Sequence, residues 1–215
     1  MSGLGILGGS FNPIHIGHLR GAEEVRQGFS LDKVLFVPTY LPPHKPASSV
    51  LDYRHRKAMT GLAIGSNPGF ELEDIEERLP PPSYSVRTVQ ALAEKYGSST
   101  QLYFILGEDD FAHIDTWYAP SLLFSLCSMI VITRHTISEN LSQLVPVDFK
   151  KEFWYAQNEG ILMHTSGKKV YLSCLPVLDV SSSRIRSLVQ ERRSIRYLTP
   201  EPVQEYIEKE NLYHS

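Results

Sequence analysis

Two stretches of this 215-residue chain place phosphate-handling side chains at useful spacings. The first is G-G-S-F-N-P-I-H-I-G-H at 8–18. Gly8 and Gly9 let the backbone come close to a ligand, and Pro13 fixes the loop. Gly17 opens a helix, and His18 falls in its first turn, three residues after His15. A helix N-terminus offers free N–H groups and the positive end of a dipole, a setting that favours anions. Two imidazoles there add donors for phosphate oxygens. A His-x-x-His pair also occurs in metal sites, but catalytic zinc takes a third protein ligand. No further histidine or cysteine is placed nearby in sequence, so no metal ligands are assigned.

The second stretch is V-S-S-S-R-I-R at 180–186, just before an amphipathic pattern carried by Ile185, Leu188 and Val189. The serines supply a helix cap and hydroxyl donors. Ser182 and Arg186 are four apart and share a helix face. That face can offer a hydroxyl, helix N–H groups and a guanidinium to one polyphosphate. Taken alone, the segment also describes a plain cap beside a surface arginine; the first stretch makes the phosphate reading the better one.

Three more segments carry candidate groups. In L-P-P-H-K-P at 41–46, Lys45 suits a phosphate. P-S-Y-S-V-R-T at 82–88 starts a helix. In G-E-D-D-F-A-H-I-D-T-W-Y at 107–118, Asp109 suits ribose hydroxyls and Trp117 offers a flat face for an aromatic ring.

The elements that must position these groups alternate. Strands are expected at Leu4–Leu7, Val34–Val37, Phe70–Glu73, Leu102–Leu106, Met129–Thr133, Ile161–His164 and Val170–Cys174. Helical stripes run through Leu19, Ala22, Val25 and Phe29, and through Val86, Val89, Leu92 and Tyr96. Alternation of this kind predicts an α/β fold, a Rossmann-like, doubly wound, mostly parallel sheet with helices on both faces. Ligands then sit at the carboxyl ends of strands, where strand order reverses. We expect a single domain over 1–215 with a helical tail from about 181. G-L-G-I-L-G at 3–8 fits the dinucleotide pattern GxGxxG. That pattern needs a strand before its first glycine, and two residues cannot supply one. A P-loop is absent as well.

Net charge is −3, with no Lys/Arg-rich run, which argues against bulk nucleic-acid or membrane-surface binding. No apolar run reaches the roughly 18 residues of a membrane helix. Two cysteines without a CxxC and no signal-peptide pattern lead us to expect a cytoplasmic protein. A homo-oligomer is compatible with the sequence.

The 8–18 segment resembles the HxGH signature of the nucleotidyltransferase superfamily. The segment at 180–186 resembles that superfamily's second signature. With histidine at position 15 and the segments at 41–46, 82–88 and 107–118, the chain looks like the bacterial nicotinate mononucleotide adenylyltransferases. The resemblance runs from Gly8 to the Y-L-T-P-E-P-V-Q-E-Y-I tail at 197–207. It implies transfer of AMP from ATP to nicotinate mononucleotide, with Mg²⁺ accompanying ATP. His15, His18 and Arg186 would be catalytic. Gly8, Gly9, Ser10, Phe11, Gly107, Asp109, Arg134, Ser182 and Ser183 would complete the ATP side. Lys45, Ser85, Trp117 and Tyr118 would hold the acceptor. Adenylyltransferases for nicotinamide mononucleotide or phosphopantetheine are the alternatives.

Overall fold

A computed structural model describes residues 2–44, 46, 49–133, 142, 144–156, 160–174 and 178–214. Eight strands form one sheet: β1 (Ser2–Gly9), β2 (Lys33–Pro38), β3 (Phe70–Leu72), β4 (Thr100–Gly107), β5 (Ser128–Thr133), β6 (Phe153–Ala156), β7 (Ile161–His164) and β8 (Lys169–Cys174). Their order is β3-β2-β1-β4-β5-β8-β7-β6. The first six in that order are parallel; β7 runs antiparallel to β8, and β6, at the edge, pairs antiparallel with β7. All seven expected strands are present, and β6 is an addition. Gly3 and Gly5 lie inside β1, so the GxGxxG match is a strand and not a turn.

The helices are α1 (Ile16–Gly28), α2 (Tyr53–Ile64), α3 (Ser85–Tyr96), α4 (Glu108–Ala112), α5 (Pro120–Leu126), α6 (Ser182–Gln190) and α7 (Glu201–Lys209). Side chains alternate across a strand, and β2 uses both faces. Leu35 and Val37 join Val86, Val89 and Leu92 of α3 and Leu123 and Phe124 of α5 in one core. Val34 and Phe36 join a second core with Ala22 and Val25 of α1, Met59 of α2, Ile185 of α6 and Val203 of α7. The sheet is therefore covered on both sides, and the helical tail belongs to the second core. β1 lies between β2 and β4, so strand order reverses at its carboxyl end. A crevice opens there.

Candidate active site

β1 ends on Gly8 and Gly9, and the chain then turns sharply. A Cβ on Gly9 would lie 2.9 Å from the Phe11 ring, so only glycine fits. Phe11 takes a left-handed backbone (φ 44°) and tucks beneath the loop, fully buried. Its ring meets His18 edge-on at 5.2 Å. His15 caps α1, and its N–H donates to His18 Nδ1 at 3.2 Å. The two imidazoles stack with centroids 3.6 Å apart. A neutral imidazole has one donor and one acceptor nitrogen. With Nδ1 accepting, the proton of neutral His18 sits on Nε2. Burial, and then the neighbouring His15, hold the His18 pKa well below the usual histidine value.

The second phosphate segment closes on this loop. Ser181 caps α6 by accepting the Arg184 N–H. The Ser182 hydroxyl donates to the Pro13 carbonyl at 2.8 Å, although the two residues are 169 apart in sequence. Arg186 Nη1 donates to the Asn12 carbonyl at 2.7 Å, and Nη2 donates to Ser183 Oγ at 3.1 Å. The Tyr213 hydroxyl donates to Asn12 Oδ1 at 2.8 Å. A Cβ on Gly17 would lie 2.9 Å from Val180, so this glycine lets the α6 approach press against α1.

Above these groups lies a cleft of about 860 Å³. Of the residues expected at the site, Gly8, Gly9, Ser10, His15, His18, Ser85, Gly107, Asp109, Trp117 and Tyr118 line it. Phe11, Ser182, Ser183 and Arg186 do not line it; Ser182 and Arg186 hold the loop at its edge, at Pro13 and Asn12. Lys45 and Arg134 fall outside the described residues. Trp117 is half-buried, edge-on to Phe104 at 6.0 Å, and Tyr118 stacks on Tyr84 at 4.4 Å.

Sequence reasoning missed the ties between these walls. Arg56, on α2, is buried and donates to three carbonyls: Leu51 (2.8 Å), Ser10 (2.8 Å) and Tyr40 (3.2 Å). The Tyr40 N–H in turn donates to Glu76, and Thr88 of α3 donates to the other oxygen of that carboxylate. One hydrogen-bonded chain thus runs from the loop after β1 to the first turn of α3. Arg56 could have been found by spacing, since Arg56, Met59, Thr60, Ala63 and Ile64 form the buried helical stripe of α2.

Charge is divided across the cleft. Residues at the starts of α1, α3 and α6 line or flank it, and none of these helices has an acid in its first turn. Their positive ends suit phosphate and carboxylate groups. The opposite wall, at the end of β4, presents Glu108, Asp109 and Asp110, which suit hydroxyl donors. Among the described residues no group of three or more His, Cys, Asp or Glu could hold a metal. Room for two ligands, anion-favouring helix ends and a neutral histidine donor together fit nucleotide chemistry at a phosphate.

Comparison with known proteins agrees. Residues 6–188 match the cytidylyltransferase-like family model. Proteins named as nicotinate-nucleotide adenylyltransferases are similar along their whole length. That of Geotalea daltonii is 42% identical over 98% of both chains, and that of Geobacter sulfurreducens is 43% identical over 97% of both. Among solved structures, the Plasmodium falciparum nicotinic acid mononucleotide adenylyltransferase complexed with NaAD superposes with a TM-score of 0.75 at 21% identity. That match covers 99% of this chain and 98% of the other, and it supports the fold. No described helix is long and apolar enough to cross a membrane. The chain belongs to the cytidylyltransferase-like family and, within it, to the nicotinate-nucleotide adenylyltransferases.

Proposed function

We propose that this enzyme transfers the adenylyl group of ATP to nicotinate mononucleotide, forming nicotinate adenine dinucleotide and pyrophosphate. The observation that carries the site assignment is the join between the two phosphate segments. Ser182 and Arg186 fasten the loop that carries His15, at the strand-order reversal, directly beneath the cleft.

The acceptor's phosphate monoester is mostly dianionic at neutral pH, because its second pKa is about 6. It needs no general base. One of its oxygens attacks the α-phosphorus of ATP in line; the bond from that phosphorus to the bridging oxygen breaks, and pyrophosphate leaves with the electron pair. The protein's work is positioning and charge stabilisation. We assign His18 Nε2–H, with His15, to the α-phosphate oxygens. Arg186, Ser182 and Ser183 are assigned to the leaving phosphates, and Gly8, Gly9 and Ser10 to close backbone approach. Asp109 takes the ribose hydroxyls, with Gly107 and Arg134 on the adenine side. Trp117 stacks on the pyridine ring, the Ser85 and Tyr118 amides meet its carboxylate, and Lys45 meets the acceptor phosphate.

Mg²⁺ fits as a companion of the nucleotide. Magnesium usually keeps waters and phosphate oxygens as ligands, so it would travel with ATP. When bound it would neutralise phosphate charge. Two cysteines without a CxxC spacing suit a reducing cytoplasm.

The test is pyrophosphate release from ATP and Mg²⁺ with nicotinate mononucleotide, nicotinamide mononucleotide and phosphopantetheine offered separately. Release mainly with the first supports the assignment. Release mainly with another moves the acceptor and overturns the roles of Ser85, Trp117 and Tyr118.

A further inference from the structure

The two pyridine mononucleotides differ in one group, a carboxylate in one and a carboxamide in the other, of nearly equal size. Shape separates them poorly, whereas charge separates them well. We propose that Arg87 is a specificity-determining residue that favours the carboxylate acceptor through its charge, a step that rests on the function proposed above.

Arg87 is the third residue of α3, whose cap is Tyr84. Cations are disfavoured at this end of a helix, where the dipole is already positive. Arg87 nevertheless sits there, and no acid in the first turn relieves it. Its guanidinium is held by the Pro80 carbonyl at 3.2 Å and by two aromatic faces, Tyr84 at 5.1 Å and Tyr118 at 5.5 Å. Those rings stack on each other at 4.4 Å. Cation–π contacts fix a cation without neutralising it.

Nearby cations are placed differently. Lys57 pairs with Asp74 and Glu77, Arg78 with Asp74, Lys95 with Glu73, and Arg20 with Glu24. Arg87 has no carboxylate partner among the described residues. Tyr84, Ser85 and Tyr118 line the cleft, and Arg87 stands behind them. Its field therefore reaches the acceptor end through the tyrosine wall. Glu76 lines the same end and would repel an anionic acceptor. Arg87 offsets that charge.

The experiment measures kcat/KM for nicotinate and nicotinamide mononucleotide with wild type, Arg87→Gln and Arg87→Lys in the full chain. In Arg87→Gln the nicotinate-to-nicotinamide ratio should fall about 3- to 10-fold, the scale of one unit charge acting at roughly ten ångström through a partly aqueous medium. The KM for ATP should hold. Arg87→Lys should keep most of the ratio, and added salt should lower the ratio in wild type more than in Arg87→Gln. An unchanged ratio, or an equal fall for both acceptors, overturns the proposal; an equal fall would make Arg87 mere support for the tyrosines. Failure of the underlying function looks different, since wild type itself would then release little pyrophosphate with nicotinate mononucleotide, whatever the Arg87 variants do.

Discussion

A neutral imidazole has one N–H and one lone pair, and the His15 amide already engages the His18 lone pair at Nδ1. What remains at Nε2 is a donor, held by stacking on His15 and by the edge of Phe11. His18→Ala should therefore lose roughly 10²–10³-fold in kcat while staying folded, the scale of one lost transition-state donor; circular dichroism and steady-state rates check both halves. The same setting has a pH signature. Burial and His15 lower the folded-state pKa of His18 below the ordinary 6.5, so the unfolded chain binds the extra proton first as pH falls. Stability contributed by neutral His18 is present above that unfolded value and drains away below it, towards the folded pKa. Melting curves from pH 7.5 to 5 should show a steeper loss for wild type than for His18→Asn.

At the scale of elements, the central parallel strands were legible because they bury apolar side chains on both faces. Runs such as Val34–Val37 carry apolar side chains to two cores at once. β6 was not legible. Its four residues, F-W-Y-A, form an edge strand whose Trp154 faces outward, with no alternation strong enough to register. α2 escaped for another reason: its buried stripe has helical spacing, but Arg56 and Thr60 occupy two of the places. The HxGH and serine–arginine segments were legible as motifs that belong to one site. That Ser182 and Arg186 would brace the loop at Pro13 and Asn12 was not, because contacts so distant in sequence leave no local pattern. Replacing Arg56 with methionine should strand three carbonyls that now share one guanidinium, and cost roughly 2–4 kcal/mol. Chemical denaturation reads this directly. An unchanged midpoint would mean that solvent replaces the arginine and that the loops are not tied through it.

For the whole molecule, the cleft exists because strand order reverses beside β1, and its floor is completed from the far end of the chain. Ile195, Val203, Ile207 and Leu212 are buried in the core shared with α1 and α2. Burying four such side chains is worth roughly 6–12 kcal/mol, comparable to the whole stability of a typical domain at about 5–15 kcal/mol. A chain ending at Gln190 should therefore lose cooperative thermal unfolding and bind a hydrophobic dye. A sharp melt would show that the tail is an accessory to the core.

The bond between Tyr213 and Asn12 spans 201 positions of the chain. On a ribosome adding about 5–20 residues each second, the loop carrying the two histidines would wait roughly 10–40 s for its last brace. The nascent polypeptide thus carries the histidine loop early and gains this brace only 201 positions later, so a product stalled or shortened before Tyr213 holds the histidines without it.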